Sequence, residues 1–282
     1  MNDPGTPPEQ LVDAVRNLSP FLLNGSEMLG QEDLKITGPH PINAGGFANV
    51  WVGERNDGTT VAIKSYRYYA SSSCLPIYLR MCREALTCSH LNDGNKNFVP
   101  FIGVYSTFEH PFCLVFELMD MNLREYLRNN RDVGRTELLL EISRGLRYTH
   151  SLGIAHGNLD ITNILVDSDG HARVAGLGTA FVLSTTSVGD VATTASDVRA
   201  FALLAWEIFA GQVPFSNRSI VSGVYSAALN GHQLTRPSHP ELSCRMWKLI
   251  VDCSKSNPAQ RKPTMAEIVT FLEAESNAHK LR

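Results

Sequence analysis

His156-Gly157-Asn158-Leu159-Asp160-Ile161-Thr162-Asn163 and, a little further on, Val174-Ala175-Gly176-Leu177-Gly178 decide how this chain is read. Both fall in connections between regular elements. Between them, Asp167-Ser168-Asp169-Gly170 is a turn signal with a short strand on each side. Upstream, Glu137 to Leu152 carries Leu138, Ile142 and Leu146 at helical spacing, and Gly153 ends the run. Downstream, Ser196 can cap a helix from Asp197 to Ala210 that is apolar on almost every side and therefore expected to be buried. Thr264-Met265-Ala266-Glu267 opens a last helix, and Asn122-Leu123-Arg124-Glu125 has the spacing of a capping box.

Toward the N-terminus the pattern turns from helical to extended. Val50-Trp51-Val52-Gly53 and Thr60-Val61-Ala62-Ile63-Lys64 flank Asn56-Asp57-Gly58, a strong hairpin turn. Phe98 to Phe108 and Phe112 to Leu118 form a second pair around Glu109-His110-Pro111, and Pro76 to Leu91 between the pairs reads as a helix. Before Lys35 stand four of the 14 prolines (Pro4, Pro7, Pro8, Pro20) and little periodicity, apart from a short helix at Glu9 to Leu18. Residues 1–37 are therefore expected to be an extension, partly disordered, and 275–282 a tail. Between them, 38–274 reads as an α+β domain of two lobes. A small antiparallel-sheet lobe with one main helix spans 38–118, a connector lies at about 117–121, and a larger, mainly helical lobe spans 122–274. Clefts between such lobes are common ligand sites.

Composition narrows the function. Over 282 residues the apolar fraction is 43 %, enough to bury a core, and the net charge of −3 offers no basic field for nucleic acid or an anionic membrane. None of the six cysteines (Cys74, Cys82, Cys88, Cys113, Cys244, Cys253) forms a C-x-x-C pair or a zinc-spaced cluster. They read as reduced core thiols of a cytosolic or nuclear protein. No secretory signal is visible, and the most apolar segment, Phe201 to Ala210, is too short to span a bilayer. The sequons at Asn17, Asn24 and Asn217 are then chance occurrences.

In motif order over about residues 38–274, the chain resembles a protein kinase domain, most like the tyrosine-kinase-like group of basidiomycete fungi. Val61-Ala62-Ile63-Lys64 is similar to the lysine-bearing third strand, and Arg83-Glu84 to the glutamate of its partner helix. Phe116-Glu117-Leu118-Met119 resembles the gatekeeper and hinge, His156 to Asn163 the catalytic loop, and Val174 to Gly178 the D-F-G segment. Ser196-Asp197-Val198-Arg199-Ala200-Phe201 and Asn257-Pro258-Ala259-Gln260-Arg261 resemble the two structural motifs downstream and complete the series.

The resemblance implies an ATP site and assigns residues to it. Ile42 and Gly45 belong to the glycine-rich loop, where Asn43 and Ala48 replace two of the three glycines and weaken the phosphate cradle. Lys64 and Glu84 would form the ion pair that holds phosphates. Val50, Ala62 and Leu165 would make an apolar slot for a purine, with Phe116 behind it and Glu117 and Met119 offering backbone groups. The catalytic positions depart from the family. Asn158 stands where the proton-accepting Asp belongs, and such a base contributes ~10²–10⁴ in rate. Gly176 replaces the magnesium-holding Asp, leaving Asn163 as the remaining metal position and magnesium binding weak or absent. Asp160 puts negative charge where a Lys would meet the γ-phosphate. Only 21 positions separate Gly176 from Asp197, with no A-P-E between them, and Gly157 replaces the Arg that receives a loop phosphate.

Three functions follow from this reading. The first is a pseudokinase, an interaction or allosteric module for a protein partner that binds ATP without efficient transfer. The second is a weak Ser/Thr protein kinase in which Asp160 serves as base or metal ligand. The third is a decayed or misassembled gene product with a shortened activation segment.

Overall fold

The computed structural model describes residues 27–44, 48–67, 75–91, 95–105, 107, 113–179, 181–182, 193–215, 234–257 and 263–280. The chain divides into two units between Met119 and Asp120, with Leu177–Thr179 belonging to the first.

The first unit is built on a seven-stranded sheet: β1 (Glu27–Leu29), β2 (Leu34–Thr37), β3 (Asn43–Ala44), β4 (Ala48–Arg55), β5 (Thr60–Tyr66), β6 (Phe101–Tyr105) and β7 (Cys113–Glu117). Its order is β1-β6-β7-β5-β4-β2, with β3 paired to β4. The described pairings are antiparallel except β1 with β6. Alternation fixes the faces. Val61 and Ile63 of β5 go to a core with Leu29, Leu34 and Val115, which leaves Ala62, Lys64 and Tyr66 on the other side. Among the described residues of this unit there is one α-helix, α1 (Leu75–Leu91). Residues 27–37, read from sequence as extension, are thus partly sheet: Ile36 lies opposite Gly53 on β4, and Met28 opposite Val104 on β6.

The second unit contains the helices α2 (Leu123–Asn129), α3 (Arg135–Ser151), α4 (Thr194–Ala210), α5 (Cys244–Ser254) and α6 (Met265–Lys280). Its small strands are β8 (Met121–Asn122), β9 (Ile154–Ala155), β10 (Ile164–Val166), β11 (Ala172–Val174) and β12 (Phe181–Val182). Asn122 caps α2 by accepting the Glu125 N–H at 3.0 Å. α3 buries Leu138, Leu139, Ile142 and Leu146 and packs against α6 and α4. α4 is buried along most of its length, as its composition requires. Two sequence expectations change here. Thr193, not Ser196, is the N-cap of α4; Ser196 is its reciprocal partner in the capping box. The tail expected at 275–282 is helical to Lys280, because Glu275 accepts from Ser243 Oγ and Ser276 donates to Glu137, which buries both.

Gly45, the helix at 9–18, the turn at 109–111, the three sequons and the end of the Asn257–Arg261 motif lie outside the described residues.

Candidate functional site

In the first unit the expected ion pair is formed. Lys64 Nζ lies 2.7 Å from each carboxylate oxygen of Glu84, whose residue is 1 % exposed. Strand alternation places Tyr66 on the same side of β5 as Lys64, and its hydroxyl donates to the same carboxylate. Burial, with the Glu84 charge beside it, holds the Tyr66 phenol well above its ordinary range, so it remains a donor. Gly178 closes this cluster. A Cβ there would stand 2.9 Å from Glu84 Oε2 and 3.2 Å from the Tyr66 hydroxyl, so a larger residue would push on the carboxylate. A buried carboxylate needs such partners, since removing one typically costs about 3–5 kcal/mol.

The apolar positions of this unit also fall into register. Val50 is opposite Lys64, Val52 opposite Ala62, and Ala62 opposite Phe116, so Val50, Ala62 and Phe116 share a face on adjacent strands. The Phe116 ring rests on Phe101 with centroids 5.3 Å apart. Ile42 is exposed and Met119 half-buried. The Glu117 N–H donates to Pro100 O at 3.0 Å.

In the second unit Asn158, Asp160, Asn163 and Gly176 are brought together by the β10–β11 hairpin, whose end is tied by Ala175 N–H to Asn163 O at 2.8 Å. Leu165, on β10, lies opposite Asn122 and Arg173. The loop before β10 is anchored from below. Asp197, 1 % exposed in the first turn of α4, accepts from His156 N at 2.8 Å, Gly157 N at 2.9 Å and His150 Nε2 at 2.8 Å. The His156 ring in turn bonds Ala175 O at 2.9 Å, joining the loop to the segment that carries Gly176. Gly157 and Gly176 have positive φ, +76° and +80°.

Within this frame the four positions hold two amides, a glycine and one occupied carboxylate. Asp160 caps the 3₁₀ turn Ile161–Asn163: its Oδ1 accepts the N–H groups of Thr162 and Asn163 and the Thr162 hydroxyl. Asn163 Nδ2 donates to Asn158 O at 2.8 Å. The Asn163 amide fills the space beside Gly176, where a Cβ would lie 2.7 Å from its Cγ. A neutral amide is not a base at neutral pH. Magnesium takes hard oxygen ligands in near-octahedral array, usually including carboxylates. A glycine with no side-chain oxygen and the one Oδ1 of a neutral amide, whose Nδ2 is bonded to Asn158 O, supply no carboxylate for it. Among the described residues no group of three or more His, Cys, Asp or Glu is placed to hold a metal ion.

Sequence reasoning passed over Tyr66, which its spacing of two from Lys64 signalled, and quoted Asp197 within the Ser196–Phe201 motif without giving it the anchoring role seen here.

Residues 36–192 and 186–272 match the family model described as protein tyrosine and serine/threonine kinase. Similar curated proteins include the probable serine/threonine-protein kinase PknB of Lactococcus lactis, 29 % identical over 81 % of this chain and 40 % of that protein. A probable LRR receptor-like serine/threonine-protein kinase of Arabidopsis thaliana is 26 % identical over 83 % of this chain and 26 % of its own length. The serine/threonine-protein kinase mos of Patiria pectinifera is 26 % identical over 87 % and 76 %. The chain thus spans well under half of the first two.

Proposed function

Because this chain belongs to the protein tyrosine and serine/threonine kinase family, we propose that it is a pseudokinase: a kinase-shaped signalling module that binds ATP and does not transfer its phosphate efficiently. The observation that carries the reading is the pairing of Asn158 with Gly176, whose missing side chain leaves room that the Asn163 amide takes. Phosphoryl transfer depends on positioning and charge neutralisation, with a carboxylate to receive the hydroxyl proton. This loop keeps the scaffold, through Asp197 and His156, and lacks the carboxylates. The Lys64–Glu84 pair, braced by Tyr66, supports retention of a phosphate-binding lysine.

Nucleotide would then act by favouring one conformation of the domain for a protein partner, shifting a population without turnover. The likeness to the tyrosine-kinase-like group of basidiomycete fungi belongs to the same reading. So does a cytosolic or nuclear location: burial holds the Cys113 and Cys253 thiols up to about 12, as expected of inert core cysteines. Among the described residues no helix is long and apolar enough to cross a membrane.

A second reading, weak Ser/Thr kinase activity through Asp160, draws on its Oδ2, which among the described residues has one long contact of 3.4 Å, with Asn163. Against it, the other oxygen is committed to the cap. Thermal-shift titration with ATP, with and without magnesium, tests the proposal. Stabilisation of similar size under both conditions is expected; no shift under either would remove the nucleotide, and a shift that requires magnesium would favour the second reading.

A further inference from the structure

The second unit carries a cavity of roughly 400 Å³ apart from the Asn158–Gly176 cluster, between α2, the start of α3 and the end of α4. Arg124, Arg128, Arg131 and Arg135 line it, and Glu207 is the one acidic residue lining it among the described residues. Glu207 is engaged: Arg124 donates to its Oε1 from Nε at 3.1 Å and from Nη2 at 2.7 Å. Three guanidinium groups therefore face the cavity beyond that pair.

Arginines near the end of a helix are ordinary complements to its dipole. Arg135 is not of that kind. It is 8 % exposed, one Nη donates to Val133 O at 2.6 Å, and its buried Nε has no acceptor among the described residues. Glu241 and Asp132 are its neighbouring acids, yet neither forms an ion pair with it among the described residues, and Glu241 already accepts the Thr136 N–H at 3.2 Å. Burial lowers the Arg135 pKa from its usual value. A buried guanidinium has five donors and is expensive to leave short of acceptors. Arg128 and Arg131 are exposed at the mouth and have no carboxylate partner among the described residues.

We propose that this cavity binds a phosphate monoester, with Arg135 at its floor and Arg128 and Arg131 at its mouth. Guanidinium is the side chain best shaped for phosphate oxygens, since its planar fork can donate two parallel hydrogen bonds. Leu127, Ile161 and Val213 add an apolar wall, suited to the carbon side of an ester. Such a group can come from a phosphorylated peptide or from a small free phosphate ester. The inference is independent of the ATP-site reading, since no residue of that site lines the cavity.

The test uses the whole chain and fluorescence anisotropy with a labelled peptide carrying one phosphoserine beside a leucine, its unphosphorylated twin, and phenyl phosphate as competitor. Binding of the phosphopeptide alone, displaced by phenyl phosphate and weakened by salt, is expected. Arg128→Glu and Arg131→Glu, both exposed, should each weaken it about tenfold or more, the scale of one charge-assisted hydrogen bond. Arg135→Gln should do the same if it folds; the two mouth variants decide the matter if it does not. Phenyl phosphate binding in a thermal-shift assay, lost in the mouth variants, with no peptide binding would support the site and assign it to small esters. Absence of binding by both probes, or affinities unchanged by the charge reversals, would overturn the proposal.

Discussion

Replacing Asp197 by Ala should loosen the loop that carries Asn158 while leaving the chemistry of that loop as it is. Three donors lose their acceptor: the buried His156 N–H, the partly buried Gly157 N–H and the His150 imidazole. An unsatisfied buried donor costs about 1–3 kcal/mol, and a partly solvated one less. The three together come to about 3–5 kcal/mol, the lower figure applying if water enters the space left by the carboxylate. For a unit of this size each kcal/mol moves the melting temperature by about 2–4 °C, so a fall of about 6–20 °C is expected. Asp197→Asn should fall between, since its one amide oxygen can serve His156 while its NH₂ faces the Gly157 N–H. Calorimetry on the three proteins, with amide exchange at His156 and Gly157, reads the effect directly. A fall of less than about 2 °C for Asp197→Ala, with both amides still protected, would refute the reasoning.

Gly176→Asp, the change that would restore a carboxylate, is expected to destabilise by about 1–3 kcal/mol, because a side chain is strained at φ +80°, its Cβ meets the Asn163 amide and Asn163 must give up its bond to Asn158 O. Adding Asn163→Ala should make the double variant less destabilised than the sum of the two single changes, read from urea melts as a double-mutant cycle; strict additivity would mean that the two sites do not compete. His171, whose hydrogen bond with the Glu141 carboxylate at 2.6 Å raises its pKa, gives a pH-dependent term. The folded pKa exceeds the unfolded one, so this stabilisation is complete below about pH 6.5 and fades as pH rises through the folded value. The His171 side chain is more than half exposed, which keeps the term below about 1 kcal/mol. His171→Ala should therefore lower stability at pH 5.5 more than at pH 8.5, and the reverse order would contradict the pairing.

The parts of this fold written in local chemistry were legible. The Asn56-Asp57-Gly58 turn set the β4–β5 register, which in turn put Lys64 on the side where Glu84 meets it. The helix read at Glu137 to Leu152 needed only its own apolar spacing. What escaped was set by distant partners. β1 is three residues long, and nothing within 27–29 announces that it will pair with Gly103–Tyr105. Glu275 and Ser276 looked like tail because their partners, Ser243 and Glu137, lie far back in the chain. At the site, the substitutions at 158 and 176 were plain in the sequence. That Asn163 occupies the space beside Gly176, and that Asp160 is held as a helix cap, depends on how the β10–β11 hairpin folds back, which no residue spacing discloses.

Transfer of radiolabelled γ-phosphate from ATP, measured over hours for the wild-type chain and for Lys64→Ala with magnesium or manganese, tests the central claim most directly. Equal incorporation, at background, into the chain itself and into a generic protein substrate is expected. Incorporation by the wild type that disappears in Lys64→Ala would contradict it.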